Sequence, residues 1–132
     1  MNNGTQVLPI DLGKREDGFD LNVDLARLPN LLIGGARGQG KTVMLNQIIT
    51  SLATKLTPEE VRFILYDPSY VEFMTYLNLP HLLQPVINSP QKMVLELERL
   101  ETDVESRLSM FAKARCRNLA DFIGRPRGRI QA

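Results

Sequence analysis

Leu31-Leu32-Ile33-Gly34-Gly35-Ala36-Arg37-Gly38-Gln39-Gly40-Lys41-Thr42 is the stretch that decides the fold. A short apolar run feeds directly into glycines, and beyond them Val43, Met44, Ile48, Ile49, Leu52 and Ala53 recur at helical spacing to about Lys55. The order is strand, glycine loop, helix. In that context Gly35 to Thr42 satisfies G-x-x-x-x-G-K-[ST], the phosphate-binding P-loop pattern, with Ala36, Arg37 and Gln39 in its variable places. Glycines let the backbone curl so that successive N–H groups face phosphate oxygens. The helix beginning near Gly40 adds the positive end of its dipole, Lys41 can reach the β- and γ-phosphates, and Thr42 can offer its hydroxyl to Mg²⁺. A glycine-rich turn with an exposed lysine is the competing reading, and the flanking strand and helix weigh against it.

Outward from this loop the chain keeps the same logic. Residues 6–23 place Val7-Leu8-Pro9-Ile10 and Leu21-Asn22-Val23 on either side of Gly13-Lys14-Arg15-Glu16-Asp17-Gly18, the pattern of a β-hairpin with a longer loop. After the P-loop helix, Thr57-Pro58-Glu59-Glu60 has an N-cap residue, a proline at the first helical position and a glutamate three residues on, which predicts a short helical turn. Arg62-Phe63-Ile64-Leu65-Tyr66 reads as a second buried strand, ending at Asp67-Pro68. The β-α-β order predicts an α/β fold with a parallel sheet. From Ser89-Pro90 onward, Met93, Leu97, Leu100, Val104, Leu108 and Phe111 keep three- and four-residue steps for five turns, predicting one long amphipathic helix. Residues 115–132 are basic and glycine-bearing, and are expected to form a loose tail.

Composition bounds the function. The chain has 132 residues, 43% hydrophobic and 23% charged, which fits one small globular domain and excludes a collagen-like or wholly disordered chain. Sixteen Lys and Arg against fifteen Asp and Glu leave a net charge of +1, so a polyanionic partner must be met locally. The single cysteine, Cys116, excludes an internal disulfide. No apolar run approaches the length of a membrane span, and Met1 to Gln6 lack the features of a secretion signal, so a cytoplasmic location without direct membrane contact is expected.

Three further groups bear on chemistry. Asp67 is the internal candidate for an acid holding the magnesium shell, with Glu72 a weaker one; Asp67-Pro68 is also an ordinary strand exit, and that reading is favoured. His81 has no second histidine or cysteine at ligand spacing and reads as a packed histidine, and Cys116 as a small packed residue. Lys113, Arg115, Arg117, Arg125, Arg127 and Arg129 face only Asp121 in charge, so either phosphate-backbone contact or simple solubilisation suits this end.

Several blocks together resemble the FtsK/SpoIIIE family of DNA translocases. They are Leu8-Pro9-Ile10-Asp11-Leu12-Gly13-Lys14, Asp24-Leu25-Ala26-Arg27-Leu28-Pro29-Asn30-Leu31-Leu32-Ile33, the glycine loop, Val61-Arg62-Phe63-Ile64 into Asp67-Pro68, Pro80-His81-Leu82-Leu83, and Arg117-Asn118-Leu119-Ala120. The resemblance covers residues 8–122. It implies a RecA-like P-loop NTPase that assembles as a hexamer around double-stranded DNA and turns ATP hydrolysis into movement during chromosome segregation. Residues 35–42 would then bind ATP with Mg²⁺, Lys41 on the phosphates and Thr42 on the metal, and Arg125, Arg127 and Arg129 are possible DNA contacts.

The expected organisation is a disordered N-terminus over 1–6, a partial ATPase domain over 7–122 and a basic tail over 123–132. Ser69 stands where the family usually has lysine. The family's apolar strand ending in Asp-Glu, its Walker B acids, is not found, and in the family Asp67 belongs to an earlier strand. The expectation is therefore an ATP-binding part of a translocase that does not hydrolyse ATP by itself. The alternative is a non-catalytic nucleotide-binding or docking module that associates with a complete motor. Self-association through an uncovered apolar face is expected in either case.

Overall fold

The computed structural model describes residues 6–124. Strand β1 (Pro9–Lys14) and strand β2 (Asp20–Asp24) form a two-stranded antiparallel sheet, pairing Ile10 with Val23 and Asp11 with Asn22. The register shifts between Asp11 and Lys14, where Gly13 takes φ 99° and the Asp11 carboxylate accepts the Gly13 N–H at 2.8 Å. Glycine tolerates this left-handed backbone, which lets the strand carry an extra residue without breaking the hairpin. Gly18, at φ 83°, closes the hairpin loop by donating to the Arg15 carbonyl.

The opposite end of the hairpin is held by one carboxylate. Buried Asp24 accepts N–H bonds from Leu8 at 2.9 Å, Val7 at 3.1 Å and Ala26 at 3.1 Å, and Arg27 lies 3.4 Å away. Ala26 and Arg27 belong to the 3-10 turn Leu25–Arg27, so Asp24 caps that turn while tying the entry of β1 to the exit of β2. Burial alone pushes this carboxyl up, and the Leu8, Val7 and Ala26 amides with the Arg27 guanidinium outweigh it, holding Asp24 below the ordinary aspartate value.

Helix α1 (Lys41–Lys55) packs its apolar side against β1. Ile10, Ile48 and Leu52 form the first core cluster, joined by Val23, Ile33, Met44 and Phe63. Ile10 and Leu52 are almost completely buried, each contributing about 2 kcal/mol of transfer free energy. Ile49, one residue from Ile48 and so about 100° round the helix, belongs to a second cluster with Phe73 and Val86. Phe63 touches both clusters and makes them one continuous packing unit.

The parallel sheet that the sequence predicts does not form among the described residues, whose one sheet is the β1–β2 hairpin; isolated bridges stand in its place. Residues 31–33 form no ladder among the described residues; Ile33 leans into the first cluster while Leu32 is 92% exposed. The 62–66 segment makes two isolated parallel bridges, Phe63 to Leu82 and Tyr66 to Ile87. Two residues lie between the bridges on one side (64–65) and four on the other (83–86), so the facing segment bulges around Gln84 and Pro85. A proline has no N–H to give to a ladder, which is why Leu82-Leu83-Gln84-Pro85-Val86-Ile87 does not read as a strand partner from sequence.

Helix α2 (Pro90–Lys113) is 24 residues long, begins with proline at its first position, and ends in a Schellman motif. Cys116 donates its N–H to the Phe111 carbonyl and Arg115 to that of Ala112, with Arg115 left-handed at φ 53°. Leu97, Val104 and Leu108 of its predicted apolar face are more than half exposed, and Glu96 is its one buried residue. The expected loose tail is corrected in its first part. Helix α3 (Leu119–Ile123) is capped by Asn118, which accepts the Asp121 N–H at 2.9 Å, and the Phe122 ring packs at a 48° tilt against Phe111 of α2, centroids 5.3 Å apart. Arg125, Arg127 and Arg129, like the residues before Gln6, lie outside the described residues.

Candidate nucleotide-binding site

The glycine loop is exposed on the surface at the N-terminus of α1. Two of its glycines adopt left-handed backbone, Gly38 at φ 79° and Gly40 at φ 81°, and the space beside each is open. A side chain at either position would be strained by the backbone itself. Gly40 is the N-cap of α1 and accepts the Met44 N–H at 2.9 Å, but has no side chain to cap the helix. The first amides of α1 therefore have no intrahelical acceptor and add a partial positive charge at the loop.

Lys41 folds back across the loop. Its ammonium donates to the Gly35 carbonyl at 2.8 Å and the Ala36 carbonyl at 2.6 Å. Gln39 donates its N–H to Ala36 at 3.3 Å, completing a tight turn over 36–39. The lysine thus holds its own loop curled, with the cation seated on the carbonyls of Gly35 and Ala36. Thr42, in the first turn of α1, is half-buried beside it. A compact loop with a fixed cation, left-handed glycines and free helix amides suits a polyphosphate group.

Asp67, Glu72, His81 and Cys116 make no ion pair or hydrogen bond with this cation among the described residues. Asp67 is buried at the exit of its bridge and accepts four bonds from its own turn: Ser69 N–H at 2.9 Å, Ser69 hydroxyl at 2.5 Å, Val71 N–H at 3.0 Å and Glu72 N–H at 2.8 Å. Its carboxylate is engaged by the turn, the geometry of a strand exit. The Ser69 hydroxyl does most to hold Asp67 below the ordinary aspartate value; burial works against it, and the Glu72, Ser69 and Phe73 amides reinforce it. Among the described residues no three His, Cys, Asp or Glu side chains cluster as a metal site.

His81 is buried, with Nε2 2.8 Å from the Leu56 carbonyl at the C-terminal end of α1. A carbonyl only accepts, so this nitrogen carries the proton and Nδ1 has no partner among the described residues. His81 also accepts the Phe63 N–H through its backbone carbonyl, so one residue ties the far end of α1 to the bridged segment. Sequence reasoning missed this role and that of Asp24, because each partner is distant in sequence. Tyr76 adds a third fastening, donating its hydroxyl to the Asn46 side chain on α1 at 3.0 Å.

Both depressed carboxyls carry a pH signature. A group whose pKa falls on folding stabilises the fold above its unfolded value, 3.8 here, and that contribution is lost as pH drops through the lower folded value. The thermal midpoint is expected to hold from pH 7 to about 4 and fall steeply below. In Asp67→Asn, scanning calorimetry across that range should show a shallower acid slope than in the unsubstituted chain.

Compared with known protein families, residues 1–131 match the FtsK/SpoIIIE family. Among curated proteins, the DNA translocase FtsK of Lactococcus lactis subsp. cremoris (strain MG1363) is 40% identical over 120 residues, covering 91% of this chain and 16% of its own length. That of Streptococcus pyogenes serotype M1 is 38% identical over 120 residues, and that of Streptococcus pneumoniae (strain ATCC BAA-255 / R6) 41% identical over 115 residues. The chain spans about one sixth of the length of the curated relatives it matches. No helix among the described residues is long and apolar enough to cross a membrane.

Proposed function

Because this chain belongs to the FtsK/SpoIIIE family, we propose that it is the nucleotide-loop part of a translocase that moves double-stranded DNA during chromosome segregation and cell division, working as a hexamer with a RecA-like sheet. Residues 35–42 take the phosphates of ATP, Lys41 neutralises them, and the Thr42 hydroxyl supports the Mg²⁺. Magnesium, when bound, offsets the phosphate charge that the loop and lysine leave uncompensated. Asp67 serves its turn, so the chemistry of this site is binding and orientation by loop, lysine and helix dipole. The observation that carries the reading is Lys41 held across Gly35 and Ala36 by the left-handed turn at Gly40.

The test is a titration of the intact chain with a fluorescent ATP analogue, with and without Mg²⁺. Saturable binding that ATP competes away and that weakens with EDTA is expected. No competition by ATP at millimolar concentration overturns the reading. A docking module without nucleotide remains the second reading, favoured by the exposed apolar side of α2.

A further inference from the structure

The phosphate loop holds a second cation besides Lys41. Arg37 is exposed and makes no ion pair or hydrogen bond among the described residues. The Gln39 N–H bond to the Ala36 carbonyl makes Arg37 the first central residue of the 36–39 turn and Gly38, at φ 79°, the second, as in a type II turn. Arg37 thus stands at the corner of the turn with its side chain in water.

The local sequence does not offset this charge. Between Leu25 and Pro58 there is no Asp or Glu, although the chain has fifteen of them. Arg27 in this stretch is paired with Asp24, which leaves Arg37 and Lys41 as the cations of the loop. The Lys41 ammonium lies 2.6 Å from the Ala36 carbonyl, on the peptide unit that leads into Arg37. The fold therefore brings two positive side chains to one turn, beside the positive end of α1.

Their positions divide the work. In a phosphate loop the backbone amides cradle the inner phosphates and the lysine reaches the outer ones. Because the Lys41 ammonium meets the loop at the peptide before Arg37, Arg37 begins at the outer-phosphate end of the site. A guanidinium presents a planar fork of donors that matches two oxygens of one phosphate, which an ammonium lacks. The inference rests on phosphate binding by residues 35–42: we propose that Arg37 takes the terminal phosphate and sets a preference for nucleoside triphosphates over diphosphates. A diphosphate ends short of the guanidinium and gains from it only a salt-screened attraction.

The experiment is a calorimetric titration of the intact chain with ATP and with ADP, each with Mg²⁺, alongside Arg37→Ala, Arg37→Gln and Arg37→Lys. The unsubstituted chain is expected to bind ATP about tenfold more tightly than ADP, the gain of one charge-assisted contact. Arg37→Ala and Arg37→Gln should each weaken ATP about tenfold and ADP less than about twofold, which removes the preference. Arg37→Lys keeps the charge without the fork and should restore part of it. Removal of an exposed side chain without partners leaves the thermal midpoint in place in all three variants. Equal weakening of ATP and ADP by Arg37→Ala overturns the proposal, because it reads a general attraction of charge, and so does unchanged ATP binding. Lys41→Ala separates the two claims. If it weakens both nucleotides while Arg37→Ala retains the preference, residues 35–42 still bind phosphate and Arg37 does not read the terminal one. If the unsubstituted chain binds neither nucleotide, both claims fall.

Discussion

Lys41→Ala is expected to weaken ATP binding about 100-fold and to leave the thermal midpoint nearly unchanged. The two effects separate because of where the lysine sits. Its ammonium bonds to the exposed Gly35 and Ala36 carbonyls, and water replaces those contacts at little cost when the side chain is removed. No such replacement exists for the phosphate charge, since a charge-assisted bond contributes about 1.5–3 kcal/mol and the cation contacts more than one oxygen. Calorimetric titration of ATP alongside a thermal scan reads both quantities. Lys41→Arg is the informative companion: it keeps the charge and changes the geometry, so it should recover only part of the affinity. If Lys41→Ala binds ATP as the unsubstituted chain does, the phosphate role of the loop is wrong.

The largest expected loss of stability lies in the hairpin, away from the loop. Asp24→Ala leaves the Leu8, Val7 and Ala26 N–H groups without their acceptor in a part-buried setting and strands Arg27. An unsatisfied donor of this kind costs about 1–3 kcal/mol, partly relieved where water enters, so a total of about 3 kcal/mol is expected. That corresponds to a fall of about 10 °C or more in the thermal midpoint. Asp24→Asn keeps a side-chain oxygen for two of the amides and loses the attraction to Arg27, so it should lie between. Urea unfolding of the three chains gives the order directly. Loss of Asp24 should also loosen α1, because Ile10 of β1 is the residue that Ile48 and Leu52 pack upon.

The parts of this molecule that were legible in sequence are those encoded locally. The glycine spacing and the Gly40-Lys41-Thr42 run specify the loop; the Ser89-Pro90 start and long periodic run specify α2; the glycines at 13 and 18 specify the hairpin. What sequence did not disclose depends on distant partners. The facing segment of the bridges is masked by Gln84 and Pro85, and the fastening of α1 by His81 joins residues 25 positions apart. The capping role of Asp24 was hidden because its amide partners at Val7 and Leu8 lie across the whole hairpin. The start of α3 was signalled by Asn118 with Asp121 three residues on, a capping pattern overshadowed by the basic residues around it.

The residues before the loop bear on how this protein behaves when concentrated. Between Pro29 and Gly34 the chain offers apolar side chains and main-chain groups that no strand among the described residues engages, with Leu32 almost wholly in water. Foreign backbone can add there, and each addition presents a fresh edge to the next molecule. Pro29 and Asn30 on one side and the paired glycines on the other bound the apolar run to three residues, Leu31 to Ile33, shorter than the five to seven that sustain a fibril core.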